Sequence, residues 1–375
     1  MKKHYDWLVV GAGFTGAVAA ERLAAAGKRV LVVDRRPHVA GNAYDELDEH
    51  GILVHRYGPH IFHTNSARVF EYLSQFTTWR PYEHHVQAVL DGQFVPLPFN
   101  LNTIDALFKP AEAERLTRLL IERYGEGKKA PVLKMREDAD PEVRKLGEFV
   151  YEKVFHNYTV KQWDLTPDQL DPAVTARVPV LVGRDDRYFQ DEFQAMPAEG
   201  YTALFSRMLD HPNIDLALAT EWRDAAEQVS FDRVVFTGPI DEYFGYAHGA
   251  LPYRSLRFEF RHEAVERFQP VGTVNYPNDH AYTRITEQKV LSGQEGPGTT
   301  LVYEYPQAYE PGVNDPYYPI PTPETAEAVR PYLEEARRLE GRVWFAGRLG
   351  DYAYYNMDQA CGRALALFEK QLAGA

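Results

Sequence analysis

Three glycines near the start of the sequence have the spacing of a phosphate-binding turn. Gly11, Gly13 and Gly16 lie between a predicted buried strand at residues 6–10 and a predicted alanine-rich helix at residues 17–26. Glycines in this arrangement let the backbone approach a pyrophosphate, and the N-terminus of the following helix favours its negative charge. The alternative is a glycine turn that serves packing alone, but the strand–turn–helix context favours a dinucleotide site.

An acidic residue follows these glycines at the distance expected of a ribose contact. Asp34 ends a second predicted strand at residues 29–34, about twenty residues beyond the motif. Its carboxylate can hold ribose hydroxyls and would repel a 2′-phosphate, which disfavours NADP although Arg35 and Arg36 follow directly. The pattern therefore predicts a dinucleotide without a 2′-phosphate.

Two later glycine turns extend this predicted site. Gly41-Asn42 follows the second strand, and Gly347-Arg348 joins a late predicted strand to the segment that leads into the last predicted helix. A second helix N-terminus beside the first suits a cofactor whose phosphates and ring system both need docking. This arrangement favours FAD over NAD.

Two histidines lie in a short segment after the dinucleotide-binding unit. His60 and His63 occur within the sequence GPHIFHT at residues 58–64. A metal site needs a third ligand at suitable spacing, which this segment lacks, so we predict no metal site. His60 keeps two interpretations, a satisfied core histidine and a side chain that faces a cofactor.

Two arginines occur among aromatic residues further along the chain. Arg177 and Arg284 could bind a diphosphate, because a guanidinium forms paired hydrogen bonds with phosphate oxygens and phenol hydroxyls add neutral donors. Their sequence neighbours include Tyr158, Trp163 and Tyr188 for the first, and Tyr276 and Tyr282 for the second. Such a group favours a nucleotide-diphosphate sugar, and the alternative is surface ion pairs with half-buried aromatics.

A tyrosine-rich segment, DYAYYN at residues 351–356, joins the last predicted strand to the last predicted helix. Loops at the carboxyl ends of parallel strands carry the ligand contacts of α/β sheets. Tyr354 and Asn356 are therefore candidate site residues, and the alternative is a loop that serves packing.

The composition excludes several classes of protein. The chain has 375 residues, 45% hydrophobic, with a formal net charge of −13. This content can build a core, and the negative charge without a basic run excludes nucleic acid and anionic membrane surfaces as partners. The single cysteine, Cys361, cannot form an internal disulfide and indicates the cytoplasm. Because three glycines interrupt the apolar stretch at residues 7–20, no membrane span is expected.

The elements that must position these residues change in character along the chain. A βαβ unit opens it, and Asp91-Gly92 marks a hairpin because both turn positions need positive φ. Helical spacing of apolar residues follows at residues 111–124 and 141–157, and residues 253–305 then alternate with the period of an antiparallel sheet.

Two late segments indicate that the first sheet is completed from distant parts of the chain. Residues 233–238 and 342–347 both read as buried strands that end in glycine, and we expect both to join the first parallel sheet. The predicted fold class is α/β, a discontinuous Rossmann-type domain with an inserted helical domain and an inserted, mainly antiparallel β-sheet domain. The predicted limits are residues 1–80, 205–245 and 320–375 for the FAD-binding domain, 100–160 for the helical domain, and 81–99, 161–204 and 246–319 for the sheet domain that binds substrate.

Seven motifs in order along almost the whole chain carry a family resemblance. They are GAGFTGA at residues 11–17, GNAYD at 41–45, GPHIFHT at 58–64, YTVKQW at 158–163, DDRYF at 185–189, PYYPI at 316–320 and GRLGDYAYYNMDQA at 347–360. Together they are highly specific, and through them the sequence resembles the bacterial UDP-galactopyranose mutases. These are flavoenzymes that interconvert UDP-galactopyranose and UDP-galactofuranose.

The resemblance implies two sets of binding residues. Those expected to bind FAD are Gly11, Gly13, Phe14, Thr15, Gly16, Asp34, Arg35, Gly41, Asn42, His60, Arg348, Met357 and Asp358. Those expected to bind substrate are Tyr158, Trp163, Arg177, Tyr188, Asn275, Arg284, Tyr318, Tyr354 and Asn356. Arg177, Arg284 and His60 are the expected catalytic residues, and a loop that starts at Trp163 is expected to close over the substrate.

Three of these positions have more specific expectations. Arg177 and Arg284 resemble a pair that binds the diphosphate, and Tyr158 resembles the tyrosine that stacks on uracil. Asn356 stands where the family often has aspartate. Its neutral amide can hydrogen-bond sugar hydroxyls, but it cannot act as a base.

The resemblance also implies a reaction without net redox change. N5 of reduced FAD is the covalent nucleophile at the anomeric carbon, UDP leaves, the sugar ring opens and recloses through O4, and UDP returns. The arginines would hold the departed UDP. An external reductant such as NAD(P)H and a homodimer are expected, while two alternatives are an FAD-dependent oxidoreductase of the amine-oxidase type and a nucleotide-sugar-binding protein without catalysis.

Overall fold

A computed structural model of the chain describes residues 2–170 and 179–374. The strands are β1 His4–Val10, β2 Val30–Val33, β3 Asp45–Leu47, β4 Leu53–His55, β5 Phe62–Thr64, β6 Trp79–Pro81, β7 Val86–Leu90, β8 Gln93–Leu97, β9 Lys129–Pro131, β10 Pro179–Leu181, β11 Phe193–Pro197, β12 Ile214–Ala217, β13 Ser230–Phe236, β14 Tyr253–Glu263, β15 Thr273–Asn275, β16 Arg284–Glu287, β17 Thr299–Ala308, β18 Tyr318–Pro319 and β19 Val343–Phe345.

The helices surround these strands and connect them. They are α1 Phe14–Ala25, α2 Ala67–Leu73, α3 Leu101–Leu107, α4 Pro110–Tyr124, α5 Val132–Arg136, α6 Pro141–Val150, α7 Asn157–Trp163, α8 Tyr201–Leu209, α9 Trp222–Gln228, α10 Ile240–Tyr243, α11 Gln288–Ser292, α12 Pro323–Arg338, α13 Gly347–Gly350 and α14 Met357–Leu367. Two π-helical segments, Tyr151–His156 and Phe368–Leu372, continue α6 and α14, and short 3-10 turns occur at Gly41–Ala43 and Pro167–Gln169. None of the helices in the described part of the chain has the length and apolar content needed to cross a bilayer.

A five-stranded parallel sheet supports the predicted dinucleotide site. Its order is β12-β2-β1-β13-β19, and each neighbouring pair is parallel. The central strands are apolar on both faces because helices cover the sheet on both sides. The predicted α/β fold with a Rossmann-type sheet is confirmed, as is the return of residues 233–238 and 342–347, which supply β13 and β19. The domain limits given above stay a prediction.

A helical region with its own core follows the first hairpin. The predicted hairpin is confirmed, since β7 and β8 pair around Asp91 at φ 49° and Gly92 at φ 80°. Helices α3 to α6 bury apolar side chains against this hairpin, among them Leu120 and Leu146. The helix that starts at Pro141 runs through the first π-helical segment into α7, so it ends at Trp163, beyond the predicted limit.

A seven-stranded sheet is the second large sheet of the structure. Its order is β18-β14-β17-β16-β15-β7-β8, and all pairs are antiparallel except β15 with β7. The strands predicted at residues 271–276 and 281–286 are shorter than expected. Residues 276–283 form a connecting loop, closed by the hydrogen bond from the Tyr276 N–H to the Thr283 carbonyl at 2.8 Å.

Candidate active site

A cavity of about 230 Å³ that is open to solvent lies at the carboxyl ends of the parallel strands. Most of the residues predicted to bind the cofactor line it: Gly11, Gly13, Phe14, Thr15, Asp34, Arg35, Gly41, Asn42, His60, Arg348 and Met357. Asn356, predicted as a substrate contact, lines the same cavity. The structure therefore brings together two glycine turns, two helix N-termini and a strand-end carboxylate, as a dinucleotide site requires.

Two glycine turns approach each other closely in the wall of this cavity. A Cβ added to Gly41 would lie 2.9 Å from the Cα of Gly13, and Gly41 itself has φ +55°. A Cβ on Gly16 would clash with the carbonyl oxygen of Gly11, so Gly16 serves the close packing of turn and helix and does not line the cavity. The absence of side chains exposes backbone to the cavity, which is the arrangement that phosphate groups need.

The charged groups near Asp34 are already organised by the protein. The Asp34 carboxylate accepts hydrogen bonds from the Ala12 N–H at 2.8 Å and the Arg36 N–H at 2.9 Å. Arg35 lies 3.5 Å from a carboxylate oxygen of Glu242 and 3.6 Å from one of Asp315. Because two carboxylates neutralise Arg35, this end of the cavity offers little attraction to a 2′-phosphate.

His60 is held as a neutral imidazole on the cavity wall. Its Nδ1 lies 2.9 Å from the Gly58 carbonyl, which can only accept, so Nδ1 carries the proton and Nε2 is left as an acceptor. The backbone N–H of His60 donates to Nδ1 of His55 at 3.0 Å. Burial, with the positive charges of Arg348 and Arg284 nearby, lowers the pKa of His60 to about 3. His60 therefore stays uncharged at neutral pH.

Acid is expected to destabilise the fold through its buried histidines. Burial lowers the pKa of His55 to about 4 and that of His84 to about 3, from an unperturbed 6.5. Between about pH 6 and about pH 4 the unfolded chain therefore binds more protons than the folded protein, and the free energy of unfolding falls as the pH falls. These two side chains contribute up to about 3 kcal/mol per pH unit in that window.

Urea denaturation at about pH 6 and about pH 5 measures this dependence. In the His84→Gln variant, the slope of the free energy of unfolding against pH should be smaller by about 1.4 kcal/mol per pH unit, because one group that binds a proton only in the unfolded chain has been removed. A variant slope equal to that of the unchanged protein would contradict the contribution of His84.

Arg284 lies on the large sheet beside a buried carboxylate. Its guanidinium donates to Glu304 at 2.7 Å, and the strand register places the two residues directly opposite each other. The Glu304 side chain is 2% exposed, and this pairing keeps the pKa of Arg284 well above its ordinary value despite burial. Asn275 lies opposite Arg284 on the other neighbouring strand.

Several buried polar atoms around this pair lack a hydrogen-bond partner among the described residues. They are Nε of Arg284, Oε2 of Glu304 and Oδ1 of Asn275. Buried polar atoms are usually satisfied, and several unsatisfied atoms in one place indicate a polar ligand that completes them.

Aromatic side chains line the space between Arg284 and the glycine-lined cavity. Tyr318 stacks on Tyr354 with ring centroids 5.5 Å apart, and the Arg348 guanidinium lies 5.2 Å and 5.4 Å from the two rings. The ring centroids of Trp163 and Tyr318 are 6.1 Å apart. These tyrosines and arginines come from separate strands and loops, so the fold brings together a site that sequence neighbours alone do not form.

Tyr158 and Tyr188 lie near Arg284 and the aromatic side chains around it. Tyr158 is close enough to Arg284, Tyr188 and Tyr354 to interact electrostatically with them, and burial raises its pKa above the ordinary value. Tyr188 is 41% exposed, and its N–H donates to the carbonyl of His84 at 2.7 Å. The predicted substrate residues thus converge, except that Arg177 lies outside the described residues.

Asn356 and Asp358 begin the last helix. Asn356 is the N-cap of α14, and its backbone N–H donates to Oε1 of Gln359 at 2.9 Å in a capping box. Asp358 is not among the residues that line the cavity, and its carboxylate accepts from the Thr64 hydroxyl at 2.9 Å. Asn356 therefore lines the cavity, and Asp358 does not.

Sequence reasoning missed two residues of this site. Glu304 lies between two tyrosines in a strand, where a glutamate usually faces solvent, and the pairing of β16 with β17 is what turns it towards Arg284. Buried His84 lies behind Tyr188, with ring centroids 5.9 Å apart. Residues 299–304 of β17 are all buried, so no alternation of polar and apolar residues marks Glu304, and no local signal separates His84 from His85.

Comparisons with known proteins agree with the geometry. Residues 153–354 match the UDP-galactopyranose mutase family model, and residues 9–76 match the model of an NAD(P)-binding Rossmann-like domain. The chain is 38% identical to a probable UDP-galactopyranose mutase of Klebsiella pneumoniae, over 96% of this chain and 92% of that protein. It is 35% identical to a dTDP-fucopyranose mutase of Escherichia coli, over 96% of each chain.

Solved structures share the fold. A crystal structure of reduced UDP-galactopyranose mutase has a TM-score of 0.72 at 18% identity, covering 100% of this chain and 96% of that one. A putative protoporphyrinogen oxidase from Exiguobacterium has a TM-score of 0.63 at 13% identity, covering 98% of each chain. At these identities the structures show a common fold, whereas the curated relatives and the family model show descent. The chain belongs to the UDP-galactopyranose mutase family.

Proposed function

We propose that this protein interconverts UDP-galactopyranose and UDP-galactofuranose, with reduced FAD bound in the glycine-lined cavity. The observation that carries the proposal is the continuity of two sites. His60 and Arg348 line the cavity that suits a dinucleotide. Arg348 contacts Tyr318 and Tyr354, and Tyr318 interacts electrostatically with Arg284. A flavin ring and a nucleotide sugar would therefore meet between these residues.

The residues of the cavity fit FAD. The backbone of Gly13 and Gly41 would hold the pyrophosphate, because neither turn has a side chain in the way. Asp34 would hold a ribose, and the N-terminal turn of α14, with Met357, would lie against the ring system. When bound and reduced, the flavin supplies at N5 a nucleophile for the anomeric carbon of the sugar.

The protein's own residues would bind and orient the substrate. Arg284 would hold the diphosphate, with tyrosine hydroxyls as further donors, and Arg177 is proposed as the second cation. Because UDP must stay in the site while it is detached from the sugar, these contacts would be strongest when the diphosphate carries its full charge. Glu304 fixes the guanidinium of Arg284 by their 2.7 Å contact, so less reorganisation is needed.

The His60 imidazole and the Asn356 amide would form hydrogen bonds in the site without taking up a proton. Neutral His60 offers an acceptor at Nε2 and would bind a donor on the flavin or the sugar. Asn356 would hydrogen-bond a sugar hydroxyl, since an amide does not take up a proton at neutral pH. The proposal therefore assigns no general base to the Asn356 position.

The proposal is tested by product analysis under reducing conditions. Purified holoprotein incubated with UDP-galactofuranose and dithionite is expected to form UDP-galactopyranose, without stoichiometric consumption of the reductant. No product from folded, flavin-containing protein would overturn the proposal. Stoichiometric consumption of oxygen with an amine would favour the oxidoreductase, and UDP-sugar binding by colourless protein would favour a binding protein.

A second substrate belongs in the same assay because of the Escherichia coli relative. Turnover of dTDP-fucopyranose and not of UDP-galactopyranose would assign the chain to that substrate. NAD(P)H in place of dithionite tests the proposed reductant, and light scattering tests the proposed homodimer.

A further inference from the structure

The helix that carries Tyr158 changes its winding just before this residue. Residues Tyr151–His156 form a π-helical segment between α6 and α7. Such segments are uncommon and frequently occur at functional sites. A π-helical turn bonds each N–H five residues back, which removes carbonyl groups from the ordinary ladder and leaves them in need of other partners.

A side chain from the 276–283 loop, which connects β15 to β16, satisfies this turn. The Asn278 amide donates to the carbonyl of Lys153 at 3.0 Å, and its oxygen accepts from the Asn157 side chain at 3.0 Å. Lys153 and Asn157 are four residues apart, so the Asn278 amide bridges positions that an α-helical bond would join directly. The bridge ends one residue before Tyr158.

The same loop contacts the helix again beyond Tyr158. Nζ of Lys161 donates to the carbonyl of Tyr276 at 2.8 Å, so the 276–283 loop holds α7 on both sides of Tyr158. This loop connects β15 to β16, the strands that carry Asn275 and Arg284. This loop therefore links the helix that carries Tyr158 to the strand that carries Arg284.

We propose that Asn278 is a positioning residue for the nucleotide end of the substrate, holding the π-helical turn so that Tyr158 keeps its place relative to Arg284. This inference rests on the proposed function, in which Tyr158 stacks on the nucleotide base. Without the amide bridge, the turn regains an ordinary α-helical bond at lower cost, and residues beyond it rotate about the helix axis. A one-residue change in winding turns a side chain by about 100°, which would remove Tyr158 from the site.

The test distinguishes binding of the nucleotide base from binding of the phosphates. Inhibition by UMP and by inorganic pyrophosphate is measured by displacement of UDP from the oxidised holoprotein. Asn278→Ala is expected to lower the affinity for UMP about tenfold, which is the order of one or two lost hydrogen bonds. The affinity for pyrophosphate should stay within about twofold of the unaltered protein, because the Arg284–Glu304 pair is unchanged. In turnover, KM should rise by a similar factor and kcat should change little.

Two further variants keep the test decisive if Asn278→Ala folds poorly. Asn157→Ala removes half of the bridge and should weaken UMP less than Asn278→Ala, with no added effect when both are combined. Lys153→Ala removes the exposed ion pair with Asp91 on the same turn but keeps the carbonyl, so UMP binding should be unchanged.

The outcomes distinguish this inference from the proposed function. Equal weakening of UMP and pyrophosphate, or unchanged UMP binding in both Asn278→Ala and Asn157→Ala, would overturn the positioning role. If the unaltered protein binds neither UDP nor UMP, the proposed function itself fails.

Discussion

Arg284→Ala is expected to lower mutase turnover by ~10²–10³-fold while the protein keeps its flavin. The guanidinium would face the diphosphate as the bond to the sugar breaks and negative charge grows on the departing UDP. Arg284 is anchored by Glu304 on the sheet and is not a lining residue of the glycine cavity. Turnover of UDP-galactofuranose with dithionite, measured beside the flavin absorbance of the same sample, checks both parts.

A second arginine of the same sheet supplies the control. Arg257 is exposed on β14 and lies 4.0 Å over the ring of Tyr305. Arg257→Ala removes a positive charge from that sheet without changing the Arg284–Glu304 pair, so turnover should stay within about twofold. Loss of flavin from Arg284→Ala, or near-normal turnover, would refute the assignment of Arg284 to the diphosphate.

Gly41→Ala is expected to lower the flavin content of the purified protein by ~10-fold or more, equivalent to ~1.4 kcal/mol of binding. The new Cβ would lie 2.9 Å from the Cα of Gly13, and φ at Gly41 is +55°. The methyl group must therefore push the two glycine turns apart, and it would occupy the backbone surface assigned to the pyrophosphate. The flavin-to-protein absorbance ratio measures the effect.

Gly51→Ala separates this clash from backbone strain. Gly51 also has positive φ, at +75°, but a Cβ there would meet nothing within 4 Å. Strain alone costs about 1 kcal/mol in the left-handed region, so both variants should lose some stability while Gly51→Ala keeps its flavin. Full flavin content in Gly41→Ala would argue against phosphate binding between the turns.

The dinucleotide half of the molecule could be predicted because its signals are local. Glycine spacing, continuous apolar strands and Asp34 at a strand end each lie within a few residues of the feature they indicate. The Asp91-Gly92 hairpin is equally local, because the required backbone angles select those two residue types.

The substrate half depends on strand register and could not be read from spacing. Glu304 becomes a partner of Arg284 only because β16 and β17 pair in one register, and a shift of one residue would turn it to the other face. The π-helical turn is hidden for a related reason. Val143, Leu146, Val150 and Val154 continue a helical apolar pattern straight through it, so the sequence predicts one uniform helix.

The parallel sheet draws its five strands from three distant parts of the chain, residues 4–33, 214–236 and 343–345, and this has a consequence for biosynthesis. β19 begins at Val343, and the final helix that closes the cavity begins at Met357. During translation the cofactor site is therefore incomplete until residues 343–367 have left the ribosome. Flavin capture should follow the synthesis of these residues, and nascent chains should expose the unpaired edge of β13 to chaperones until β19 covers it.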